Sequence, residues 1–307
     1  MIRSPHHEGE QAVQRRAGEG HPGWGSPMFD NTVQPGFAVF LREQRMLFLG
    51  AADADGAVWA SVLTGAAGFV DTVGPHQVVV DAAPVPGDPL ADAFSAPRDL
   101  GVLALDPRTI RRIRLSGVAR RQGGRLHIAT EQVLGNCPKY LQQRDLVESD
   151  APAGDTPAVV RHELGPRERR WIAEADTFFI ASRAPGHGAD ASHRGGEPGF
   201  VTVEGPRRLS WPDYPGNSFY MTLGNLSLDA ACGLLFLDWE RGGTLQLTGR
   251  ARIDWDPDHR AALPGALRRI EFDVERVVTI RRAVPHRWAL MARSRFNPPP
   301  PASCVAP

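Results

Sequence analysis

The stretch GLLFLD, from Gly233 to Asp238, has a near copy 132 residues earlier in GVLALD, from Gly101 to Asp106. The same offset separates LTGRAR, from Leu247 to Arg252, from LSGVAR, from Leu115 to Arg120. A register that holds across both pairs indicates that one folding plan occurs twice in the chain. Because solenoid repeats have far shorter periods, this spacing predicts two similar domains rather than a stack of small units.

A second pair of matching stretches differs in charge. ASHRGGEPGF, from Ala191 to Phe200, lies 131 residues after ASVLTGAAGF, from Ala60 to Phe69. The frame of the two stretches is the same, but Leu63 stands in the first repeat where the second repeat has Arg194. One copy keeps a cation that the other lacks, which predicts an anion site in the second repeat only.

The overall composition is that of a soluble globular protein. The 307 residues are 42% hydrophobic and 23% charged, and 35 basic residues balance 35 acidic ones. A formal net charge of zero argues against extended binding to nucleic acid or to an anionic membrane surface. No apolar run reaches the ~20 residues of a membrane helix, and the N-terminus lacks the apolar core of a secretory signal. We therefore expect a cytoplasmic protein without nucleic-acid or membrane partners.

The cysteines and histidines do not predict a metal site. Cys137, Cys232 and Cys304 have no CxxC spacing, and the ten histidines show no HExxH pattern. Cys137 precedes Pro138 at what reads as the start of a short helix, where a structural role is commoner than a redox role. Lys139, the only lysine, is expected to be solvated.

Each repeat contains short β-like segments separated by Gly, Pro and Asp. Residues 233–239 form a continuous apolar run, typical of a strand buried on both faces, whereas residues 244–255 alternate as a half-buried strand does. Closely spaced strands with tight turns predict antiparallel sheet curled into a barrel. One helix is expected in each repeat. In the second repeat it should run from Ser218 to Leu228, with Asn217 or Ser218 as its N-cap.

These patterns divide the chain into five parts. The segment before residue 160 is polar and rich in Pro and Ala, and four consecutive prolines follow Asn297. The predicted parts are an N-terminal extension over 1–30, a first barrel over 31–147, a linker over 148–160, a second barrel over 161–292 and a disordered proline-rich tail over 293–307.

Several motifs resemble those of a known superfamily. HRGGEPGFV (His193–Val201), WPDYPGNSFYMTLGNL (Trp211–Leu226) and GLLFLDWERGGTLQLTGRARI (Gly233–Ile253) are similar to motifs of the pyridoxamine 5′-phosphate oxidase-like FMN-binding split β-barrels. SPHHEGE (Ser4–Glu10) and EQVLGNCPKYLQQR (Glu131–Arg144) resemble the N-terminal half of its two-barrel branch. The resemblance implies a mainly β protein with FMN between two six-stranded barrels. The two repeats would form that interface as an intramolecular pseudo-dimer.

The second repeat carries the residues that a phosphate site needs. A phosphate binds where several charge-assisted donors converge. Ser192 and Arg194 are two apart on a predicted strand and so face the same side, whereas His193 faces the other side and could either pack or contact a ligand. The loop and helix start that follow would add backbone N–H groups. The candidate cofactor-binding residues are Ser192, His193, Arg194, Gly216, Asn217 and Ser218, with Gln132 and Asn136 as candidates for the flavin edge.

Two departures affect the predicted site. Phe219 and Tyr220 follow Ser218 at positions where single-barrel relatives carry basic residues. In the first repeat, Asp88 lies close to where a phosphate would bind, and Leu63 supplies no cation. We therefore expect one FMN per chain, held by the second repeat.

The leading hypothesis is an FMN-dependent oxidoreductase acting on an unidentified small molecule. The sequence has no Ser-His-Asp or paired-carboxylate signature, which suits a site where the flavin carries the chemistry. The alternative is a non-catalytic flavin-binding or electron-transfer module. Electrons would come from reduced nicotinamide or a separate reductase, and the assembly would be a monomeric pseudo-dimer or a dimer of these.

Overall fold

A computed structural model of the chain describes residues 5–21, 24–25, 28–148, 157–261 and 263–299. Those residues form two large antiparallel sheets, a two-stranded ribbon and five helices. No helix within these ranges is both long and apolar enough to cross a bilayer.

The first sheet has seven antiparallel strands. They are β1 (Met46–Ala52), β2 (Val58–Thr64), β3 (Val70–Thr72), β4 (Gln77–Val80), β5 (Arg98–Asp106), β6 (Arg111–Gln122) and β7 (Arg125–Gly135). Their order across the sheet is β2-β1-β5-β6-β7-β4-β3. Leu63 on β2 and Val70 on β3 lie on strands at opposite edges of this order, yet both belong to one buried cluster. A sheet whose edges share one core is curled upon itself, as expected for a barrel.

The second sheet repeats this plan. The strands that correspond to those of the first sheet are β10 (Thr177–Ala184), β11 (Gly188–Gly195), β12 (Thr202–Gly205), β13 (Arg208–Asp213), β14 (Ala231–Leu237), β15 (Thr244–Asp254) and β16 (Arg268–Ile280). Their order is β11-β10-β14-β15-β16-β13-β12, so each strand of the first sheet has a counterpart in the same place. The expected mainly β architecture with two similar domains is confirmed.

A β-bulge explains why LSG and LTG occur in both repeats. The β6–β7 pairing shifts register directly before Gly117, and the β15–β16 pairing shifts directly before Gly249. A Cβ atom at Gly117 would overlap the carbonyl oxygen of Ala129, and one at Gly249 would overlap that of Asp273. Glycine is therefore required at both bulges, because any side chain would push the paired strands apart.

The two sheets meet through equivalent residues. A Cβ atom at Gly101 on β5 would overlap the backbone of Asp190 on β11. In the counterpart contact, a Cβ atom at Gly233 on β14 would lie 2.5 Å from the Cα of Trp59 on β2. Each contact therefore has a partner in which the two repeats exchange places. That is the pattern of an isologous dimer interface, here formed within one chain.

The helices lie outside the sheets, and two of them pack on each other. They are α1 (Glu8–Ala17), α2 (Pro35–Arg42), α3 (Pro166–Glu174), α4 (Met221–Leu228) and α5 (Pro257–Ala261). Gly9 of α1 faces Gly224 of α4 so closely that a Cβ atom on either residue would meet the other helix. The segment expected as an N-terminal extension therefore contributes a helix that packs on the second repeat.

Three helix predictions are wrong in detail. Helix α4 begins at Met221 with Tyr220 at its N-cap, and not at Ser218, because Ser218 and Tyr220 have φ angles of 60° and 57° that a right-handed helix cannot contain. The counterpart segment of the first repeat, residues 81–97, forms turns and no helix. The residues around Pro138 also form a turn. Local sequence did not reveal these backbone conformations.

The segments expected as linker and tail are partly described. Residues 149–156 and 300–307 lie outside the described ranges. A strand, β9 (Val159–Arg161), pairs with β16, and β8 (Gln143–Glu148) pairs with β17 (Arg287–Ala292) in the ribbon. At the start of the tail, the Asn297 amide donates to Gln142 Oε1 at 3.2 Å and to a Glu197 carboxylate oxygen at 2.9 Å.

Candidate functional site

A narrow pocket of about 110 Å³ lies between the two repeats. The first repeat contributes β6 and the turn after β7, and the second repeat contributes the end of β11, the loop after β13 and the start of α4. Seven of the eight predicted site residues line it, namely Asn136, Ser192, His193, Arg194, Gly216, Asn217 and Ser218. Gln132 does not: it lines a separate polar pocket near His7, and its amide donates to the Pro5 carbonyl oxygen at 3.4 Å.

Positive charge dominates this cationic pocket. Arg112, Arg114, Lys139 and Arg194 line it, and Asp213 is the acidic residue among the described lining. Arg114 forms an ion pair with Asp190, and Asp213 lies 3.3 Å from the Nε of Arg268, which is outside the lining. Within the described residues, Arg112, Lys139 and Arg194 have no carboxylate partner within 4.0 Å.

The arginines perturb one another. Burial, followed by the charges of Arg114 and Arg194, lowers the pKa of Arg112 to about 9. Burial also lowers the pKa of Arg194, although Asp213 and Asp190 oppose the shift. The Nε atoms of Arg112 and Arg114 are buried without a hydrogen-bond acceptor in the described part of the chain. Converging guanidinium donors with surplus charge are the chemistry that binds a phosphate.

Asp190 organises one wall of the pocket. Its carboxylate accepts from Arg114, from the Thr222 hydroxyl at 3.1 Å and from the Ser192 hydroxyl at 3.3 Å. Thr222 Oγ1 also lies 3.2 Å from Ser192 Oγ. Asp190, Ser192 and Thr222 are each no more than 5% exposed. The carboxylate thereby fixes one arginine and two hydroxyls in a single arrangement.

His193 positions Arg112 from the other side of strand β11. Its Nδ1 lies 3.2 Å from Arg112 Nη1, and its ring packs edge-on against the Phe179 ring, with centroids 5.9 Å apart. Burial, followed by the charges of Arg112 and Arg194, lowers the pKa of His193 well below 6.5. Because a guanidinium can only donate, Nδ1 accepts and the neutral ring carries its proton on Nε2. His193 therefore packs against Phe179 and holds an arginine, and its contact with a ligand stays a prediction.

Asn217 and Asn136 join the two repeats at the edge of the pocket. Asn217 Nδ2 donates to Asn136 Oδ1 at 3.1 Å, and Asn217 Oδ1 accepts from the Phe219 backbone N–H at 3.2 Å. Tyr140 OH donates to the Pro215 carbonyl oxygen at 2.9 Å. These bonds fix the loop after β13 against the turn after β7.

The remaining residues of this loop face the N-terminal segment. The Ser218 hydroxyl donates to Glu19, and Gln14 Nε2 donates to the Ser218 carbonyl oxygen at 3.2 Å. Phe219 is buried, with its ring 4.9 Å from that of Phe29. Tyr220 OH accepts from Arg268 Nη2 at 3.1 Å. The two aromatic residues at the positions of the expected basic ones therefore anchor the loop, and they do not bring charge into the pocket.

The equivalent place in the first repeat is closed by a carboxylate. Asp88 is 6% exposed and accepts from Ser61 Oγ at 2.7 Å, from the Leu90 N–H at 2.8 Å and from Gln246 Nε2 at 3.0 Å. Burial raises the pKa of Asp88, and these hydrogen bonds oppose that rise. An internal anion therefore uses the donors on which a phosphate would otherwise depend.

Arg112 and Arg114 were not among the predicted site residues, although an alignment of the two repeats distinguishes them. At the offset of 132, Arg112 matches Thr244 and Arg114 matches Gln246. Both arginines belong to the first repeat, and their counterparts in the second repeat are uncharged. The symmetry-related place, which contains Leu63, therefore lacks all three cations. Comparing β6 with β15 residue by residue would have found both. Asp190 and Thr222 had no comparable signal, because Trp59 is the counterpart of Asp190 and the first repeat has no α4.

An apolar groove of about 890 Å³ adjoins the cationic pocket. The two share Arg112, Asn136, Cys137 and Asn217, so the partly buried Cys137 lies at their boundary. Lys139 lines the cationic pocket and is partly buried, in contrast to the solvated position expected. The apolar residues of the groove include Trp24, Met28, Phe37, Phe40, Ile113 and Phe219.

Comparisons with known proteins give limited similarity. No family model matches the sequence, and no curated protein is significantly similar to it. A HupZ structure from Group A Streptococcus is 12% identical with a TM-score of 0.33, covering 40% of this chain and 98% of that one. A candidate pyridoxamine 5′-phosphate oxidase from Lactobacillus delbrueckii is 15% identical with a TM-score of 0.30, covering 38% and 98%. A candidate 5-nitroimidazole antibiotic resistance protein from Bacteroides thetaiotaomicron is 11% identical with a TM-score of 0.28, covering 45% and 93%. Likenesses of this size carry no argument about what this chain binds.

Proposed function

We propose that the chain binds FMN, with its phosphate in the cationic pocket, and acts as a flavin-dependent oxidoreductase on a small molecule. The observation that carries the proposal is the surplus of positive charge among Arg112, Lys139 and Arg194, none of which has a carboxylate of the described residues within 4.0 Å. A phosphate monoester carries up to two negative charges near neutral pH and would offset that surplus. At the symmetry-related place, Leu63, Thr244 and Gln246 replace Arg194, Arg112 and Arg114, which supports a single site.

The residues of the pocket fit a phosphate group. Arg112 and Arg194 would hold it through charge-assisted hydrogen bonds, while Ser192 and Thr222, whose hydroxyls donate to Asp190, would line the pocket without donating to the phosphate. Arg114, whose charge is offset by Asp190, would add a guanidinium at a set position. A site whose donors are already held in place loses little side-chain freedom on binding, which favours affinity.

FMN, when bound, supplies hydride or single-electron transfer. The chain's own residues would bind it, orient it and exclude water. The apolar groove beside the phosphate pocket offers a dry surface for the ring, and the Asn136–Asn217 pair offers amide groups at the boundary. His193 would keep Arg112 aimed at the phosphate while holding its own proton on Nε2.

Electron supply and assembly belong to the same proposal. Reduced nicotinamide or a separate reductase would deliver the electrons. Because the interface between the repeats lies within one chain, a monomer would carry a complete site, and a dimer would be a pair of complete sites.

An absorbance spectrum of the purified protein tests flavin binding, and stopped-flow mixing with NADH or NADPH then tests reduction. We expect the visible absorbance bands of flavin to be present and to bleach on reduction. A protein that neither contains flavin nor binds added FMN would contradict the whole proposal. Bound FMN that neither nicotinamide nor a reductase system reduces would favour the non-catalytic alternative.

A further inference from the structure

The described residues that line the apolar groove next to the cationic pocket are mostly apolar, and the amide side chains among them are Asn136 and Asn217. Among its described lining residues there is no carboxylate and no hydroxyl, and the charged groups are Arg111 and Arg112. The Arg111 guanidinium lies over the Phe40 ring at 5.0 Å, and Arg112 faces His193. A charged or strongly polar molecule entering this groove would lose hydration with few partners to replace it.

One wall of the groove comes from the N-terminal segment and is held in place by specific contacts. Trp24 Nε1 donates to the Asn217 carbonyl oxygen at 3.4 Å. The centroid of the Phe29 ring lies 4.9 Å from that of the Phe219 ring. The His6 ring packs edge-on against Phe29, with the two centroids 5.1 Å apart. The described residues Trp24 and Phe29 therefore adjoin the loop that borders the cationic pocket.

The size of the groove exceeds what a phosphate pocket alone requires. Its volume is about 890 Å³, in the range of roughly 300–1,000 Å³ that small-molecule sites occupy. It meets the cationic pocket at Asn136, Cys137 and Asn217. A ligand anchored at the phosphate pocket would therefore enter the groove across this boundary, and the volume of the groove would leave room for a second molecule.

We infer that this groove is the substrate half of the site and takes an apolar molecule of small aromatic size beside the flavin. The inference rests on the proposed function, because it assumes that FMN fills the cationic pocket. Burial of apolar surface, at about 25 cal/mol per Å², would supply most of the affinity, and the lining would select against polar substrates.

The test uses N-phenyl-1-naphthylamine, an uncharged dye that fluoresces in apolar surroundings, titrated into the FMN-loaded protein. Phe37→Glu places a carboxylate in the groove at the third position of α2, where an acidic residue suits the helix. We expect dye affinity to fall at least tenfold, while FMN affinity changes less than threefold. Phe37→Leu should keep the dye within threefold, and Val39→Glu, on the same helix but outside the groove, should change neither ligand.

The outcomes separate the two proposals. If FMN-free protein binds the dye but FMN-loaded protein does not, the groove holds only the flavin ring and the substrate inference fails while flavin binding stands. Dye binding that is indifferent to Phe37→Glu also overturns the inference. If FMN does not bind at all, the proposed function fails, and a Phe37→Glu effect on the dye would still support an apolar ligand. Met28→Glu, at the exposed rim, repeats the test should Phe37→Glu not fold.

Discussion

Phe48 and Phe179 stack face to face, with ring centroids 3.5 Å apart and planes inclined by 12°. They occupy equivalent positions, since β1 and β10 are counterparts and the repeat offset is 131 there. Both are fully buried. A residue that meets its own counterpart lies on the two-fold axis relating the two copies. The repeats are thus arranged as the subunits of a symmetric dimer, joined in one chain.

This stack makes a prediction about stability. Phe48→Ala and Phe179→Ala should each lower the free energy of unfolding by about 3–5 kcal/mol, because each leaves a cavity in a closely packed interface. The double variant should lose less than the sum, with a coupling of about 0.5–1.5 kcal/mol for an aromatic pair. Denaturant unfolding of the four proteins measures this. Phe94→Ala, buried in the separate core of the first repeat, is the control and should add to Phe179→Ala.

Two results would contradict the symmetric interface. One is strict additivity of Phe48→Ala and Phe179→Ala. The other is a wild-type protein that unfolds in two separate transitions, one for each repeat, since a large shared interface should make the repeats unfold together.

The architecture could be predicted from the sequence because its determinants are local and occur twice. Alternating and continuous apolar runs gave strands, and the bulge glycines Gly117 and Gly249 kept the two copies in register. The start of α4 could not be predicted in this way. Ser218 and Tyr220 adopt left-handed backbone conformations in a loop whose contacts reach Glu19 and Arg268, residues that are remote in sequence. Such tertiary contacts override a good local capping signal.

The candidate site was predicted in part for the same reason. Strand alternation grouped Ser192 with Arg194, and both line the pocket. Strand alternation could not predict that Asn136 lines the pocket while Gln132 does not. Gln132 pairs with Ser116 beside the bulge, whereas Asn136 lies beyond the end of β7. Arg112 and Arg114 could have been predicted, because they align with the uncharged Thr244 and Gln246 in the other repeat. Asp190 could not, since a carboxylate that organises cations has no pattern of its own.

We expect one FMN per chain. At the symmetry-related place, Thr244 and Gln246 of the second repeat replace Arg112 and Arg114, and the Asp88 carboxylate of the first repeat already accepts the local hydrogen bonds. A second phosphate would meet negative charge there without a cation. Titration of flavin-free protein with FMN, followed by quenching of flavin fluorescence, should break at one equivalent. A break at two would show that the first repeat binds through other groups.

His193 should make stability depend on pH. Its pKa is lowered in the folded protein by burial and by Arg112 and Arg194, so the unfolded chain takes up the proton first as pH falls through 6.5. The stabilisation is therefore complete above that pH and is lost below it, by up to about 1.4 kcal/mol per pH unit. His193→Gln can still accept from Arg112 but does not titrate, so its unfolding free energy should fall less between pH 7 and pH 5. Parallel curves for the two proteins would refute this role of His193.

Arg194→Leu should weaken FMN binding and leave the fold intact. The substitution copies Leu63, which the equivalent position of the first repeat already buries. Charge-assisted hydrogen bonds to a phosphate contribute about 1.5–3 kcal/mol each, and about 1.4 kcal/mol corresponds to one decade in affinity. FMN affinity should therefore fall by about one to two decades. Isothermal titration or fluorescence quenching measures the change, and thermal unfolding checks the fold.

Riboflavin separates a lost phosphate anchor from general damage to the pocket, because it has the ring but no phosphate. Its affinity for Arg194→Leu should stay within about threefold of the wild-type value, since an arginine directed at the phosphate contributes little to ring binding. Arg112→Thr, which copies Thr244, should show the same contrast through the second guanidinium. If FMN and riboflavin weaken equally, the substitution has disturbed the pocket as a whole. If neither weakens, Arg194 is not a phosphate ligand, and the charge difference between ASHRGGEPGF and ASVLTGAAGF has another origin.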